Sequence, residues 1–371
     1  MKHLNLLKST LLLFALVVGS TSVWADDYYA QVTDVDDLST DATYIIGDYT
    51  SGTLRVMGAL SNSRGTIISS DISISGTTIT VSKDAANKPI EYSLKKSGDY
   101  YMITYGTTPT YLGYDSGTQF ATKTSAPVAK DGDKYNWTIE YNKTYSCLLI
   151  TSVKATDRII LRNGTSAFSA YSNKNLSSYG KATLYKKVEP ITPAKTYTTL
   201  TSAYNLDFTG LDLKAYIATS VSAGSVQMTQ VNKVPAGTGL VLKATTPGSA
   251  VKVPVFDGTS PDDVSLNKMT GSATTTTAIV ENGGYILKDG VFQPASAGTL
   301  PAGKAYLNIA VAFAHPLSLD FGDGDVTGIE SLTPNPSPKG EGSEYFNLAG
   351  QRVAQPAKGL YIVNGKKVVL K

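Results

Sequence analysis

Beyond its first residues, the chain has no window in which apolar residues recur at helical spacing for more than about two turns. It offers short alternating runs instead, bounded by Gly, Asn, Asp, Ser and Pro at the rhythm of sandwiches and barrels. A chain built this way satisfies its backbone polar groups by pairing strands. The 23 tyrosines suit pleated surfaces and the 33 glycines suit tight turns. The sequence therefore predicts an all-β fold.

The exception lies at the start. Lys2 and Lys8 flank the beginning of an apolar run, Leu11 to Val18, and small residues lead to Val23-Trp24-Ala25 before acidic Asp26 and Asp27. Positive charge, apolar core and small-residue exit read as an export signal over residues 1–25, with cleavage after Ala25. The apolar run is well short of the roughly 20 residues a spanning helix needs. No membrane span is expected in the mature form.

Charge and cysteine content exclude several function classes. The 33 basic residues nearly balance 30 acidic ones, so nucleic acid is not an expected partner. The one cysteine, Cys147, cannot form an internal disulfide and sits in an apolar run as a small buried hydrophobe. With one histidine in the mature chain, His315, neither a zinc centre nor a Ser-His-Asp arrangement is supported. Acid pairs at Asp36/Asp37, Asp131/Asp133 and Asp262/Asp263 lie in turn-like stretches where Asp serves the backbone. Asp320, Asp323 and Asp325 lie close enough to suggest a calcium loop, but the further ligands and closing Glu of an EF-hand are missing, and a solvated linker is the reading. The chain is read as non-enzymatic, with no catalytic residue, no metal site and no cofactor.

Punctuation divides the mature chain. Residues 26–189 form a first β domain, in which Ile90-Glu-Tyr-Ser-Leu94 through Tyr111-Leu-Gly-Tyr114 is echoed by Trp137-Thr-Ile-Glu-Tyr141 through Arg158-Ile-Ile-Leu161. The offset of about 47 residues predicts a β-trefoil-like domain, with a plain β-barrel as the alternative. Pro190-Ile-Thr-Pro193 places a linker at 190–196. Residues 197–326 carry two Pro-Ala-Gly turns, each feeding an apolar strand, and an Asp289-Gly290 hairpin signal, and predict a β-sandwich. A Pro/Gly linker follows at 327–343, then a short three-strand tail at 344–371 with a turn at Asn364-Gly365.

Tyr345-Phe-Asn-Leu-Ala-Gly-Gln-Arg-Val353 and Pro356-Ala-Lys-Gly-Leu-Tyr-Ile-Val-Asn-Gly-Lys-Lys-Val368 resemble the C-terminal tail of many secreted Bacteroidetes proteins. That tail is similar to a shortened type IX secretion sorting domain. The matching positions are Gly350, Val353, Gly359, Tyr361, Asn364, Gly365 and the basic end through Lys371. Residues 197–326 resemble the β module that often precedes it. The resemblance implies export to the extracellular space or outer cell surface, with the periplasm as the alternative. It implies export machinery and secretion-system sorting components as partners.

Recognition remains for the body of the protein. Tyr111, Tyr114, Asp115 and Gln119 put aromatic rings beside hydrogen-bonding groups, the combination that sugar rings favour, although no Gln-x-Trp lectin motif is present. A glycan or a host surface protein is the expected ligand. A secreted hydrolase of polymers with a carboxylate site, or a purely structural surface component, is the alternative.

Overall fold

Alternation in the sequence becomes pairing in space. The computed structural model describes residues 26–50, 52–222, 224–280, 283–310, 313–322 and 326–327, and in the tail 345–346, 352–353, 358–363 and 366–370. The export signal and most of the 327–343 linker lie outside the described residues. The protein is all-β: strands dominate, and short 3-10 turns are the only helices among the described residues. The chain divides into two compact units, one ending at Thr327 and one running from Gly328 to Lys371.

The first unit opens with β1 (Asp27–Gln31), β2 (Thr43–Thr50), β3 (Thr53–Ser61), β4 (Arg64–Ile68), β5 (Ile72–Ser75) and β6 (Thr78–Val81). It continues with β7 (Tyr92–Ser97), β8 (Tyr100–Tyr105), β9 (Thr110–Tyr114), β10 (Phe120–Lys123) and β11 (Asn136–Asn142). Next come β12 (Cys147–Ser152), β13 (Arg158–Asn163), β14 (Ala167–Ser172), β15 (Gly180–Lys181) and β16 (Thr183–Ile191). Antiparallel ladders run β2, β7, β8, β11, β12, β13, β14, β4, β3 and back to β2, a nearly closed barrel.

The sequence echo has a spatial counterpart. Three joins recur along the chain: Ile90 N–H donates to Met57 O at 3.4 Å, Asn136 pairs with Met102, and Leu148 N–H donates to Thr183 Oγ1 at 3.1 Å. Closure is narrow at the β14–β4 seam, a single pair between Phe168 and Gly65. Gly65 is needed there, because a Cβ would stand 2.6 Å from the Met57 side chain.

Inward residues of these strands make the main core: Tyr44, Tyr92, Leu94, Trp137, Ile150 and Leu184 among others. Trp137 is fully buried, and its indole N–H donates to Leu112 O at 2.8 Å, so the ring enters the core with its polar atom satisfied. A second tie is electrostatic. Arg162 Nε meets Asp48 Oδ2 at 2.6 Å with both side chains nearly buried, and Gly180 leaves the space that the carboxylate fills.

The second region begins with β17 (Tyr197–Thr201), β18 (Leu206–Asp207), β19 (Leu213–Val221), β20 (Ser225–Val231), β21 (Lys233–Val234), β22 (Gly239–Ala244) and β23 (Val251–Pro254). Then follow β24 (Met269–Ser272), β25 (Thr277–Ile279), β26 (Gly284–Lys288), β27 (Val291–Pro294), β28 (Gly298–Leu300), β29 (Lys304–Asn308), β30 (Leu317–Asp320) and β31 (Val326–Thr327). One sheet runs β17-β22-β19-β20-β30-β27-β26-β29-β24 and folds over itself, with Thr201 N–H of β17 donating to Gly303 O just before β29. Ala215 and Ile217 of β19 face one core while Tyr216 and Ala218 face another. Burial on both faces explains the near-continuous apolar runs here, and the layers are those of a sandwich.

The linker expected at 190–196 does not begin where the prolines suggested. β16 runs through Pro190 to Ile191 and pairs with β23, matching Val188 with Pro254 and Pro190 with Lys252. Val255 N–H donates to Lys187 O at 3.1 Å, so the alternate positions 188/254 and 190/252 turn their backbone groups away from this partner. Proline costs the β16–β23 ladder nothing there. The β1 pairing on the other edge of β16 has already ended at Val188. The first and second regions thus share a sheet, reinforced by the Asp41–Lys233 ion pair and by Asp257 N–H donating to Asp41 O.

The tail has four short strands where three were expected: β32 (Tyr345–Phe346), β33 (Arg352–Val353), β34 (Gly359–Val363) and β35 (Lys366–Leu370), in the order β33-β32-β34-β35. The extra strand arises because Val353 pairs back onto Tyr345. Gly359 and Tyr361 pair with Leu370 and Val368. Gly350, Asn364, Gly365 and Lys371 lie outside the described residues.

Trp137→Ala removes the largest buried ring and should cost about 3–5 kcal/mol. Urea unfolding followed by far-ultraviolet circular dichroism checks this; an unchanged midpoint would show that the barrel core does not depend on the ring.

Candidate binding cleft

The structure does not assemble the four recognition residues into a platform. Tyr111 and Tyr114 lie three positions apart on β9, so they leave on opposite faces. Tyr114 enters the main core, and Tyr111 packs with Met102, Ala121 and Tyr135. Both are less than a tenth exposed. Asp115 and Gln119 do meet, in a loop where Asp115 N–H donates to Gln119 O at 3.0 Å. The hydrogen bond from Lys134 Nζ at 2.7 Å, with that charge beside it, holds the Asp115 carboxyl below the usual range. Cations cover the rings, with Lys95 Nζ 5.5 Å from the Tyr111 centroid and Lys154 Nζ 5.6 Å from that of Tyr114. A sugar ring has no open face on either tyrosine.

The remaining sequence candidates have structural roles. Asp131 accepts from Val128 N–H at 2.7 Å and Asp263 from Ser265 N–H at 2.9 Å, each holding a turn, while Asp262 accepts from Asn232 N–H at 2.6 Å and ties its loop to the start of β21. Burial pushes the Cys147 thiol up to about 11, which leaves it a poor nucleophile. His315 is exposed, with Nδ1 2.9 Å from Pro316 O. Asp323 and Asp325 lie outside the described residues. Among the described residues no group of three or more His, Cys, Asp or Glu side chains converges to hold a metal.

A different cluster stands out, centred on β16. Lys187 and Tyr29 are directly opposite each other in the β1–β16 ladder, and Asp27 shares the Tyr29 face of β1. Lys187 Nζ reaches Asp27 Oδ1 at 3.0 Å and Glu91 Oε1 at 2.7 Å, Glu91 being the residue before β7. Tyr29 O–H donates to the same Glu91 oxygen at 2.6 Å. From the second region, Tyr204 O–H donates to Asp27 Oδ1 at 2.8 Å. The ammonium also lies 5.1 Å from the Tyr204 ring and 5.7 Å from the Tyr29 ring, within cation–π range.

Burial alone would raise the Asp27 pKa, but the Lys187 charge and hydrogen bonds from Lys187 and Tyr204 outweigh it, and the carboxyl titrates below its usual range. Burial alone would lower that of Lys187, yet Glu91 and Asp27 carry it above the lysine range. Burial, then the adjacent carboxylates, push the Tyr29 and Tyr204 phenols upward, so both remain protonated donors at neutral pH.

This cluster borders a cleft of about 790 Å³. Beyond it, the walls include Thr43, Lys88, Lys95, Tyr105, Thr107 and Asp257, a lining rich in hydroxyls and in charges of both signs. The cluster escaped sequence analysis because its hydrogen-bonded pairs are separated by 62 to 177 positions. One signal was present: Lys186, Lys187 and Glu189 interrupt a mostly apolar strand, and charge in a central strand needs partners.

Compared with protein-family models, the chain matches none, and a search of curated proteins finds no similar sequence.

The cluster makes stability depend on pH in a defined way. Asp27, with its lowered pKa, contributes above its unfolded value of about 3.9, and the contribution is lost as pH falls through the lower folded value. Lys187, with its raised pKa, contributes below about 10.4, and the contribution is lost as pH rises through the higher folded value. Lys187→Met should cost about 2–4 kcal/mol at neutral pH, with Glu91's exposure lowering the figure. The deficit should shrink in strong acid and strong base. Denaturation across pH checks it, and a pH-independent deficit would contradict the ion-pair account.

Proposed function

We propose that the protein is an exported, non-enzymatic binding protein that holds its ligand in the Glu91–Thr107 cleft and is displayed through its C-terminal tail. The observation that carries this is the sharing of one ammonium by two carboxylates. Asp27 and Glu91 both point at Lys187, and Asp27 is held ionised. Carboxylate hydrolysis of glycosides needs one acid whose pKa is raised so that it can donate a proton. Asp27 is shifted the other way. A cleft with fixed donors and acceptors but no activated nucleophile suits retention better than turnover.

Export and display rest on the Ala25 cleavage signal and on the resemblance of residues 344–371 to sorting tails. Strands in the tail that keep Val353, Gly359 and Tyr361 paired are compatible with a small module read by other proteins.

Incubation of the chain from Asp26 with insoluble polysaccharides and surface glycoproteins separates the alternatives. Retention without release of reducing ends or new amines is expected. Thr107→Trp, at an exposed position on the cleft wall, should abolish retention with the fold intact. Product release abolished by Glu91→Gln would favour the hydrolase instead. Deletion of Tyr345–Lys371 should move the protein from the outer surface to the periplasm on fractionation, and unchanged delivery would remove the tail from the account.

A further inference from the structure

We propose that the ligand of this cleft is a neutral oligosaccharide and that Glu91 is its anchoring acceptor. This rests on the binding reading above and narrows it to one ligand class.

The cleft carries no net charge to attract an ionic polymer. Its walls present three carboxylates, Asp27, Glu91 and Asp257, and three ammonium groups, Lys88, Lys95 and Lys187. Acidic chains meet the first set and basic chains the second. An uncharged ligand with many hydroxyls meets both favourably, since each hydroxyl donates and accepts.

Glu91 is prepared for such a contact. The hydrogen bonds from Tyr29 and Lys187 both fall on Oε1. Oε2 accepts from no described residue, and the side chain is 43% exposed. The carboxylate is thereby oriented before any ligand arrives, and its free oxygen costs little further ordering when a hydroxyl donates to it. Lys88 supplies the complementary donor. It is 52% exposed and bound only loosely, with Nζ 3.6 Å from Asp27 Oδ2. An oriented acceptor and an available donor in one lining can each take a hydroxyl of the same ligand.

The other walls fit the apolar faces and remaining hydroxyls of a sugar. Tyr105 is half-buried, its ring set edge-to-face against buried Tyr92 at 5.9 Å. Thr43 and Thr107 add hydroxyls without charge. Of the five aliphatic side chains in the lining, Val81 and Leu94 are buried in the cores, which leaves Pro89, Ile90 and Pro109 to meet the apolar face of a ring.

The test is calorimetric titration of the chain from Asp26 with gluco-, manno-, galacto- and xylo-configured neutral oligosaccharides, at about 0.05 M and 0.5 M NaCl. Binding of at least one series is expected, changed less than about twofold by salt because the ligand is uncharged. Glu91→Gln keeps the shape but replaces part of the acceptor capacity with a donor, and should weaken binding about tenfold. Thr107→Trp should abolish it. Thermal melts of both variants confirm folding. Failure of every neutral series overturns the proposal, as does binding that Glu91→Gln leaves unchanged. Binding confined to charged polymers and lost in high salt overturns it as well. A peptide library retained by the wild type and lost from Thr107→Trp would overturn the sugar assignment while leaving the cleft as the binding site.

Discussion

β16 is hydrogen-bonded along both edges, and the two regions of the first unit meet on it. β1 occupies one edge from Tyr185 to Val188. The other edge passes from β2, which covers Thr183 to Lys186, to β23, which covers Val188 to Ile191. In a chain without long helices every buried backbone group needs a strand partner, and one strand serving three neighbours removes edges that would otherwise stand open. Because β23 belongs to the second region, the sheet that carries the barrel extends into that region. Leu206 and Val255 bridge at this seam, so the core of the second region starts where the first sheet ends.

The same strand places charge where the packing can use it. Two ion-pair groups illustrate opposite solutions to burying a charge. Asp48 and Arg162 are nearly sealed, one carboxylate to one guanidinium, with Thr50 on the second Asp48 oxygen and Arg162 also donating to Gly164 O. Nε and Nη1 of the guanidinium are both used internally, and the group fastens β2 to β13. Around Lys187 the balance differs. The ammonium is enclosed, but Glu91 reaches solvent with one oxygen uncommitted and Lys88 is only loosely held. A closed group stabilises. A half-open group stabilises and also presents chemistry, and the second sits on a cleft.

Legibility in the sequence followed the range of the interactions. β7, β8, β11 and β12 were visible because alternation and turn residues are local signals, and their echo foretold equivalent hairpins. Pro190 misled because proline's cost depends on whether its position faces a partner, a matter of register set some sixty residues away at Lys252. Tyr111 and Tyr114 misled for a related reason. Spacing within one strand tells which residues share a face, and an odd spacing such as theirs separates them. Glu91, Lys187, Tyr29 and Tyr204 come from four separate segments and left only a charged residue in an apolar strand as a trace. The tail was legible as strands, and its fourth strand was hidden because two residues are too few to show alternation.

Amide hydrogen exchange of the chain from Asp26 tests most directly whether β16 fastens both regions and so fixes the cleft wall. Amides of β1, β16 and β23, Val188 and Val253 among them, and that of Val255 just past β23 should exchange together and only through global unfolding. Early, independent exchange of β23 with the rest of the second region, while β1 and β16 stay protected, would contradict a shared strand and with it a cleft built from both regions.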